Sequence, residues 1–592
     1  MKVNRRTAIK SGLAAGVLGL SGLSTRAVEG SKLTVTGGYN EYIEKNQLKF
    51  WLETSMKRVY PNSLPEGRKK LRFIAAKNEQ LSFQVCFRNL STDSAQVSCE
   101  ISGADAFDVQ VRRVGFVPMQ HLNTFVPKEE IEGIGFIPGL CPDPLYPETS
   151  VQVGPESNGV FWITVKVPSD IPTGTHRLTA KVNLLNRYGY VGLTNPEPFS
   201  VELPIELDIR SLVLQPRKDF PVTHWISADS IWEWYKIKPC GERFWELAEA
   251  YIANIVAHNV DVVYTPIFNA RHEILRTPAQ LLKIKKTGED KYEFDFSDVR
   301  KWVRLAVKYG ANHVEWTHFF TPAPTSGRHP QRIFERDDEK IGDMLWAPEI
   351  SATSDTYRKF LEQFLPQFKQ FLIDENVFEM SLFHCADEPD GETQIADYRK
   401  ARGLLKELAP WMEVMDAMSD PHFATERLSD MPVPSITTAP AFKAAGCPAW
   451  VYYCCGPRDR YVQRLLDTPL YKIRMTGLLF YKLDAKGFLH WGHNYWFIFC
   501  TPDIGDPFTQ ADVTAWPGMP YGDAFVVYPG PDGPLDSIRY EVYAESLQDF
   551  ALLQSAGIDQ NDPMFDEIKD YADFPKSEEW FNRIRTKILE RY

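Results

Sequence analysis

The stretch FEMSLFHCADEPD, from Phe378 to Asp390, carries an apolar run into the adjacent acids Asp387 and Glu388, after which Pro389 stops a strand ladder. Adjacent carboxyl groups suit general acid–base work: one can donate a proton while its neighbour stays ionised. The same pair could also be a solvated strand exit or a cap for the following helix. What favours chemistry is the company the pair keeps. Several other apolar runs end in aromatic or polar residues: Trp225, Tyr264 and Asn269, Asp416, Tyr452, then Trp491, Asn494 and Trp496. With His384 just upstream of the acids, these form a rim of flat rings and few charges, which suits a sugar whose apolar face stacks on aromatics while polar groups fix its hydroxyls.

Metal chemistry is the rival use of such residues. His313, Glu315 and His318 lie close together, and His490 with His493 approaches ligand spacing. On a strand, however, His313 and His318 have opposite parity and face opposite ways, and His490 and His493 flank Trp491-Gly492 rather than one helical turn. No metal and no cofactor is expected. The nine cysteines form no paired CxxC pattern and no compact disulfide framework, and their odd number leaves at least one thiol free. Cys454 and Cys455 read as packing residues, since neighbours on a strand point to opposite faces.

The elements that must position this rim follow from the period of the apolar residues. From Leu33 to about Ser211 the chain alternates in short segments, such as Leu81 to Phe87, Val97 to Ile101, Gly159 to Val167 and Leu178 to Leu184. This predicts a β-sandwich over residues 30–215, with Leu203 to Leu214 as its last strand and a support or binding role. From Phe220 strand and helix alternate. Strands are expected at Phe220 to Ile226, Val260 to Pro266, His313 to His318, Phe378 to Cys385, Met412 to Ala417, Ser435 to Thr438, Ala449 to Tyr453 and Phe488 to Gly492. Helices are expected at Glu242 to Ala257, Val299 to Lys308, Thr356 to Ile373, Thr393 to Leu408 and Arg464 to Leu483. That rhythm predicts a (β/α)8 TIM-type barrel over residues 216–500, with a doubly wound sheet as the structural alternative, its acids at the carboxyl end of the fourth strand where such barrels build active sites. Residues 501–592 would close it with helices.

Composition narrows the partner. With a net charge of −12 and no basic cluster, nucleic acid is not an expected ligand. The amino terminus reads as an address: Asn4-Arg5-Arg6-Thr7-Ala8-Ile9-Lys10, then the apolar run Gly12 to Leu23 and Ser24-Thr25-Arg26-Ala27. This is the pattern of a twin-arginine export signal over residues 1–29, predicting a periplasmic or secreted protein. No run reaches the roughly 20 apolar residues of a membrane span.

Three blocks in this order resemble glycoside hydrolase family 123 and the relatives that share its catalytic-domain pattern. They are His384-Cys385-Ala386-Asp387-Glu388-Pro389, then Leu489-His490-Trp491-Gly492-His493-Asn494-Tyr495-Trp496, then Gly522 to Gly530 followed by Gly533 to Glu541. The resemblance implies a retaining β-N-acetylgalactosaminidase that uses the substrate's acetamido group as nucleophile, with Glu388 as acid/base and Asp387 orienting that group. One departure stands at Ala544 to Asp549, where relatives carry an Arg-Asp-Gly-Ile-Glu-Asp-like run; this segment is expected on a helix packed against the barrel, bearing on stability more than on catalysis.

The residues agree with that mechanism. A carboxylate-nucleophile glycosidase needs two carboxyl groups about 5 Å apart across the anomeric centre, and an inverting one needs a wider gap. Neighbours on one strand end fit neither. Nor does the seventh strand end, Trp450 to Pro457, supply a second acid. Substrate assistance removes the need for one. Two other readings remain: an inverting glycosidase for sugars without an acetamido group, with Asp416 or another strand-end acid as partner to Glu388, and a carbohydrate-binding protein without catalysis. The intact acid pair counts against the latter.

Overall fold

The structure is a computed structural model describing residues 47–592 apart from 66, 190–191, 195–198, 269–276, 322–328, 348, 499–500 and 511–518. The twin-arginine segment, Asn269 and Cys500 lie outside the described residues. Residues 47–592 form one compact unit.

Two sheets make up the amino-terminal part. The first orders its strands Leu48–Thr54, Gln80–Asn89, Ser157–Lys166, Asp108–Met119 and Gly139–Tyr146, all antiparallel to their neighbours. The second runs Leu71–Lys77, Phe199–Val213, Gly174–Gly189, Ser94–Ser102 and Ser150–Val153; its first pair is parallel and the rest antiparallel. Rings meet between the sheets, Phe50 with Phe199 at 6.0 Å and Phe73 with Phe83 at 5.9 Å.

Their burial patterns differ for a reason. Along Phe199–Val213 buried Leu203, Ile205, Leu207 and Ile209 alternate with more exposed residues, so one face meets water. Gln80–Asn89 and Ser157–Lys166 are buried on both faces, because the second face of their sheet lies against the remainder of the chain. The join is polar as well as apolar. Arg539 sends Nε and Nη2 to Asp143, each at 2.9 Å, with both side chains fully enclosed. Arg112 reaches Asp536 at 2.6 Å and Glu541 at 2.8 Å, and His258 approaches Glu541 at 3.3 Å. Removing one partner of such a pair strands the other charge out of water, at a cost of about 3–5 kcal/mol. Arg539→Met is therefore expected to lower the unfolding free energy by about that much in a urea titration; a loss under ~1 kcal/mol would contradict the buried-pair account.

From Val222 on, short parallel strands alternate with helices. Those at Val222–His224, Val262–Thr265, His313–Trp316 and Ser381–Leu382 pair in that order, and Val222–His224 also pairs with Phe488–His490, which pairs with Val451–Tyr452. Met415–Ala417 pairs with Met431–Val433. Single bridges join Phe383 to Val414 and Ser435 to Tyr452. Among the described residues, hydrogen bonding thus passes from strand to strand in a circuit of eight. Helices Glu242–Ala257, Ser297–Tyr309, Asp355–Asp374 and Gly391–Leu408 fall where expected.

Two expectations need correction. The sixth strand is Met431–Val433, not Ser435 to Thr438, which instead leads into helix Ala439–Ala444. Pro432 and Pro434 turn toward the seventh strand and only accept there, from the Trp450 and Tyr452 N–H groups. Lacking donors on one side, the segment does not look like a strand in sequence. The helix expected from Arg464 to Leu483 is two, Leu470–Arg474 and Thr476–Lys482. The second approaches the backbone of helix Ile538–Ser555 so closely that a Cβ at Gly477 would collide with the Ser546 carbonyl.

Helix Ile538–Ser555 is buried from Ile538 to Leu553. It holds the divergent Ala544 to Asp549 run, as expected of a packed helix. Asp549 pairs with Arg474 at 2.5 Å and with Arg585 at 2.6 Å, and Glu545 pairs with Arg474. No described helix is long and apolar enough to cross a membrane.

Candidate active site

The fourth strand pairs regularly only at Ser381–Leu382, then continues through bridges at Phe383 and Ala386, so that Asp387 and Glu388 emerge at its carboxyl end. Glu388 has φ +34°, in the left-handed region that a non-glycine residue rarely occupies. Such a conformation persists only where its surroundings impose it, and it is concentrated at functional positions. Here the Glu388 N–H donates to the Ala417 carbonyl at 3.1 Å on the fifth strand, and Pro389 follows. The Glu388 side chain is exposed, and the Tyr452 hydroxyl donates to its Oε1 at 2.6 Å. Burial, followed by the nearby Glu388 charge, pushes the Tyr452 phenol up, keeping it a donor. Asp387 is 38% exposed and lies 3.9 Å from His318 Nε2.

Beneath the acids runs a buried chain of charges. His384 Nε2 meets Glu315 Oε1 at 2.7 Å and His384 Nδ1 meets Asp416 Oδ1 at 3.2 Å, with all three side chains at 0% exposure. Burial alone would lower the imidazole's pKa; the bonds to Asp416 and Glu315 overcome it and raise His384 to about 10, so it is a cation donating to both sides. Asp416 Oδ2 also accepts from Tyr398 Oη at 2.6 Å and from the Cys385 N–H at 3.2 Å. Glu315 accepts from Thr223 and, at 2.7 Å, from the Trp225 indole.

That indole bond fixes the floor of a cleft. Trp225 stacks on Tyr264 at 5.2 Å and meets His318 edge-on at 5.5 Å, while His318 lies over His384 at 4.2 Å. Trp491 faces the same space, its indole held by Asp523 at 2.9 Å. Trp225, Ser227, Tyr264, Pro266, Ala279 and Trp491 line this cleft, which is narrow, with room for about one water among the described residues.

The expected rim is thus partly assembled. Trp225, Tyr264 and Trp491 share the cleft, and Tyr452 reaches the acids. His384 and Asp416, expected at the sugar, are wholly enclosed and support other side chains. Trp496 and Asn494 are likewise corrected to structural roles. The Trp496 indole donates to the Val527 carbonyl at 3.1 Å within the core, and Asn494 clamps the Ser227 backbone through both amide atoms at 2.7 and 3.0 Å. In sequence Glu315 reads only as a metal ligand; the signal for a buried pair is an acid inside the short strand His313–Trp316. Tyr398, on helix Gly391–Leu408, gave none.

Among the described residues, two groups have the donor types of a metal site, with ligand atoms within 4.8 Å of one another: His318, His384 and Asp416, and His258, Asp536 and Glu541. Neither suits an ion. Both ring nitrogens of cationic His384 already donate, leaving no lone pair, and the Arg112 guanidinium already bridges Asp536 and Glu541. His490 belongs to neither group. Its Nδ1 accepts from the Gly492 N–H at 3.0 Å, and burial with Arg464 nearby pushes its pKa down to about 4.

Residues 225–556 match the family model "Glycoside hydrolase 123, catalytic domain". No curated protein matches the chain. Among solved structures, a family 123 glycoside hydrolase from Clostridium perfringens aligns at 14% identity over 92% of this chain and 97% of its own, with a TM-score of 0.67. A β-galacturonidase from Eisenbergiella tayi aligns over 85% of this chain and 73% of its own at 11% identity, its TM-score of 0.30 too low to speak to the fold. The family match spans more than half of the chain, begins at the cleft tryptophan and encloses both acids: this chain belongs to glycoside hydrolase family 123.

Proposed function

We propose that the protein releases terminal β-linked N-acetylhexosamine, first of all N-acetylgalactosamine, from a glycan or oligosaccharide by substrate-assisted retaining catalysis. The Asp387 carboxylate accepts from the acetamido N–H and orients the acetamido oxygen for attack on the anomeric carbon. Glu388, held at Oε1 by Tyr452, protonates the leaving oxygen through its other oxygen. An oxazolinium-like intermediate forms, and Glu388 then takes a proton from the water that opens it, so the sugar leaves with its β configuration. Trp225 and Trp491, which line the cleft, are the rings that would meet the sugar.

The observation that carries this reading is the enclosure of Asp416. An inverting scheme on sugars without an acetamido group needs a second acid in contact with water, and Asp416 is at 0% exposure with both oxygens occupied. The adjacent pair then has no carboxylate partner from the fifth strand, which supports a nucleophile supplied by the substrate. The Clostridium perfringens relative acts in glycolipid glycan hydrolysis, which favours a glycan here without fixing its sugar. We read the strand circuit as a (β/α)8 barrel over residues 216–500 and the two sheets as a β-sandwich. The twin-arginine segment supports export to the periplasm or beyond.

An NMR time course on nitrophenyl β-N-acetylgalactosaminide tests the proposal. The β anomer of the free sugar should appear first, with mutarotation following. Appearance of the α anomer first would overturn retention. Comparable turnover of the matching β-galactoside, which lacks the acetamido group, would overturn substrate assistance.

A further inference from the structure

Cys454 and Cys455 were expected on a strand with their side chains opposed. They lie instead in a bend just past the seventh strand, Val451–Tyr452, where parity no longer applies, and their sulfurs are 3.7 Å apart. The bend is tied down on both carbonyls. Cys454 O accepts from Gln463 Nε2 at 2.7 Å and Cys455 O from Arg458 Nε at 2.8 Å. Both side chains are partly exposed, whereas Cys86, Cys99, Cys141 and Cys385 are buried. The pair follows Tyr452, the residue that holds Glu388, by two and three positions.

We propose that Cys454 and Cys455 are a vicinal dithiol that low-molecular-weight disulfides oxidise to a bond between the two neighbours, and that thiols reopen. The Cys455 thiolate attacks one sulfur of the reagent disulfide and expels one thiolate, leaving a mixed disulfide on Cys455. The Cys454 thiol gives its proton to that thiolate and attacks the Cys455 sulfur, expelling the second reagent thiolate. Two protein thiols are oxidised and one external disulfide is reduced. The contact between the sulfurs, 3.7 Å, makes the exchange possible. It also lets one thiol stabilise the other as a thiolate, with Cys455 the one lowered, whereas burial raises Cys240 to about 11 and also raises Cys447. Adjacent Cα atoms, about 3.8 Å apart, are closer than a relaxed disulfide prefers, so the bond is strained and readily reduced, as a reversible site requires.

The test treats the native protein with oxidised glutathione, alkylates remaining thiols and maps the peptides. The expected result is loss of two hydrogen masses in the peptide carrying Cys454 and Cys455, no alkylation of either, no retained glutathione, and recovery with dithiothreitol. Cys454→Ser should stop the reaction at a stable glutathione adduct on Cys455. A stable adduct on Cys455 of the unaltered protein would overturn the proposal, as would full alkylation of both cysteines after excess oxidant or a hydrogen loss mapped to other cysteines.

Discussion

Glu388→Gln is expected to lower kcat/KM about a hundred- to ten-thousand-fold on substrates whose leaving group needs protonation. The amide keeps the shape of the side chain, can still accept from the Tyr452 hydroxyl and sits on the same left-handed backbone, so the loss isolates the proton. With a nitrophenyl leaving group, which departs as an anion, cleavage should fall much less and intermediate opening should become limiting. Asp387→Asn should behave otherwise, losing rate on both kinds of leaving group because it weakens the nucleophile rather than the departure. Paired kcat/KM measurements on nitrophenyl and alkyl glycosides separate the two roles. An unchanged rate on alkyl glycosides in Glu388→Gln would remove Glu388 as the acid.

The second large effect is on stability. His384→Gln removes the one cation between Glu315 and Asp416, all of them out of water, and should destabilise the fold by about 3–5 kcal/mol. The pH dependence has a definite sign. A histidine raised from 6.5 to about 10 binds its proton more tightly folded than unfolded, so its stabilisation is full below pH 6.5 and is lost as pH rises through 10. Urea midpoints of the unaltered protein should therefore fall between those values, and the variant's curve should be flatter across that window. Parallel curves would mean that His384 is not a buried cation. Because Glu315 also holds the Trp225 indole, residual variant activity should show a raised KM.

These two residues also mark how far the sequence could be read. Asp387 and Glu388 were legible because an apolar run ended abruptly in acids, a local pattern. His384 was visible as a polar residue beside them, but its partners are 32 and 69 residues distant, and only the folded chain tells a sugar contact from a buried cation. Helix Glu242–Ala257 was legible to the residue because its apolar stripe is unbroken. The sixth strand was not, since alternating prolines hide a segment that pairs mainly by accepting. Trp496 and Asn494 follow the eighth strand in irregular chain, where no period says which way a side chain turns.

Helix Ile538–Ser555 sets the timing of the protein's birth. Its Arg539 and Glu541 complete ion pairs with Asp143 and Arg112 on the amino-terminal sheet, roughly 400 residues earlier in synthesis. At about 5–20 residues per second, a ribosome leaves those charges and the sheet's second face uncovered for some tens of seconds. The two parts of the molecule therefore cannot complete their shared interior until synthesis is nearly finished.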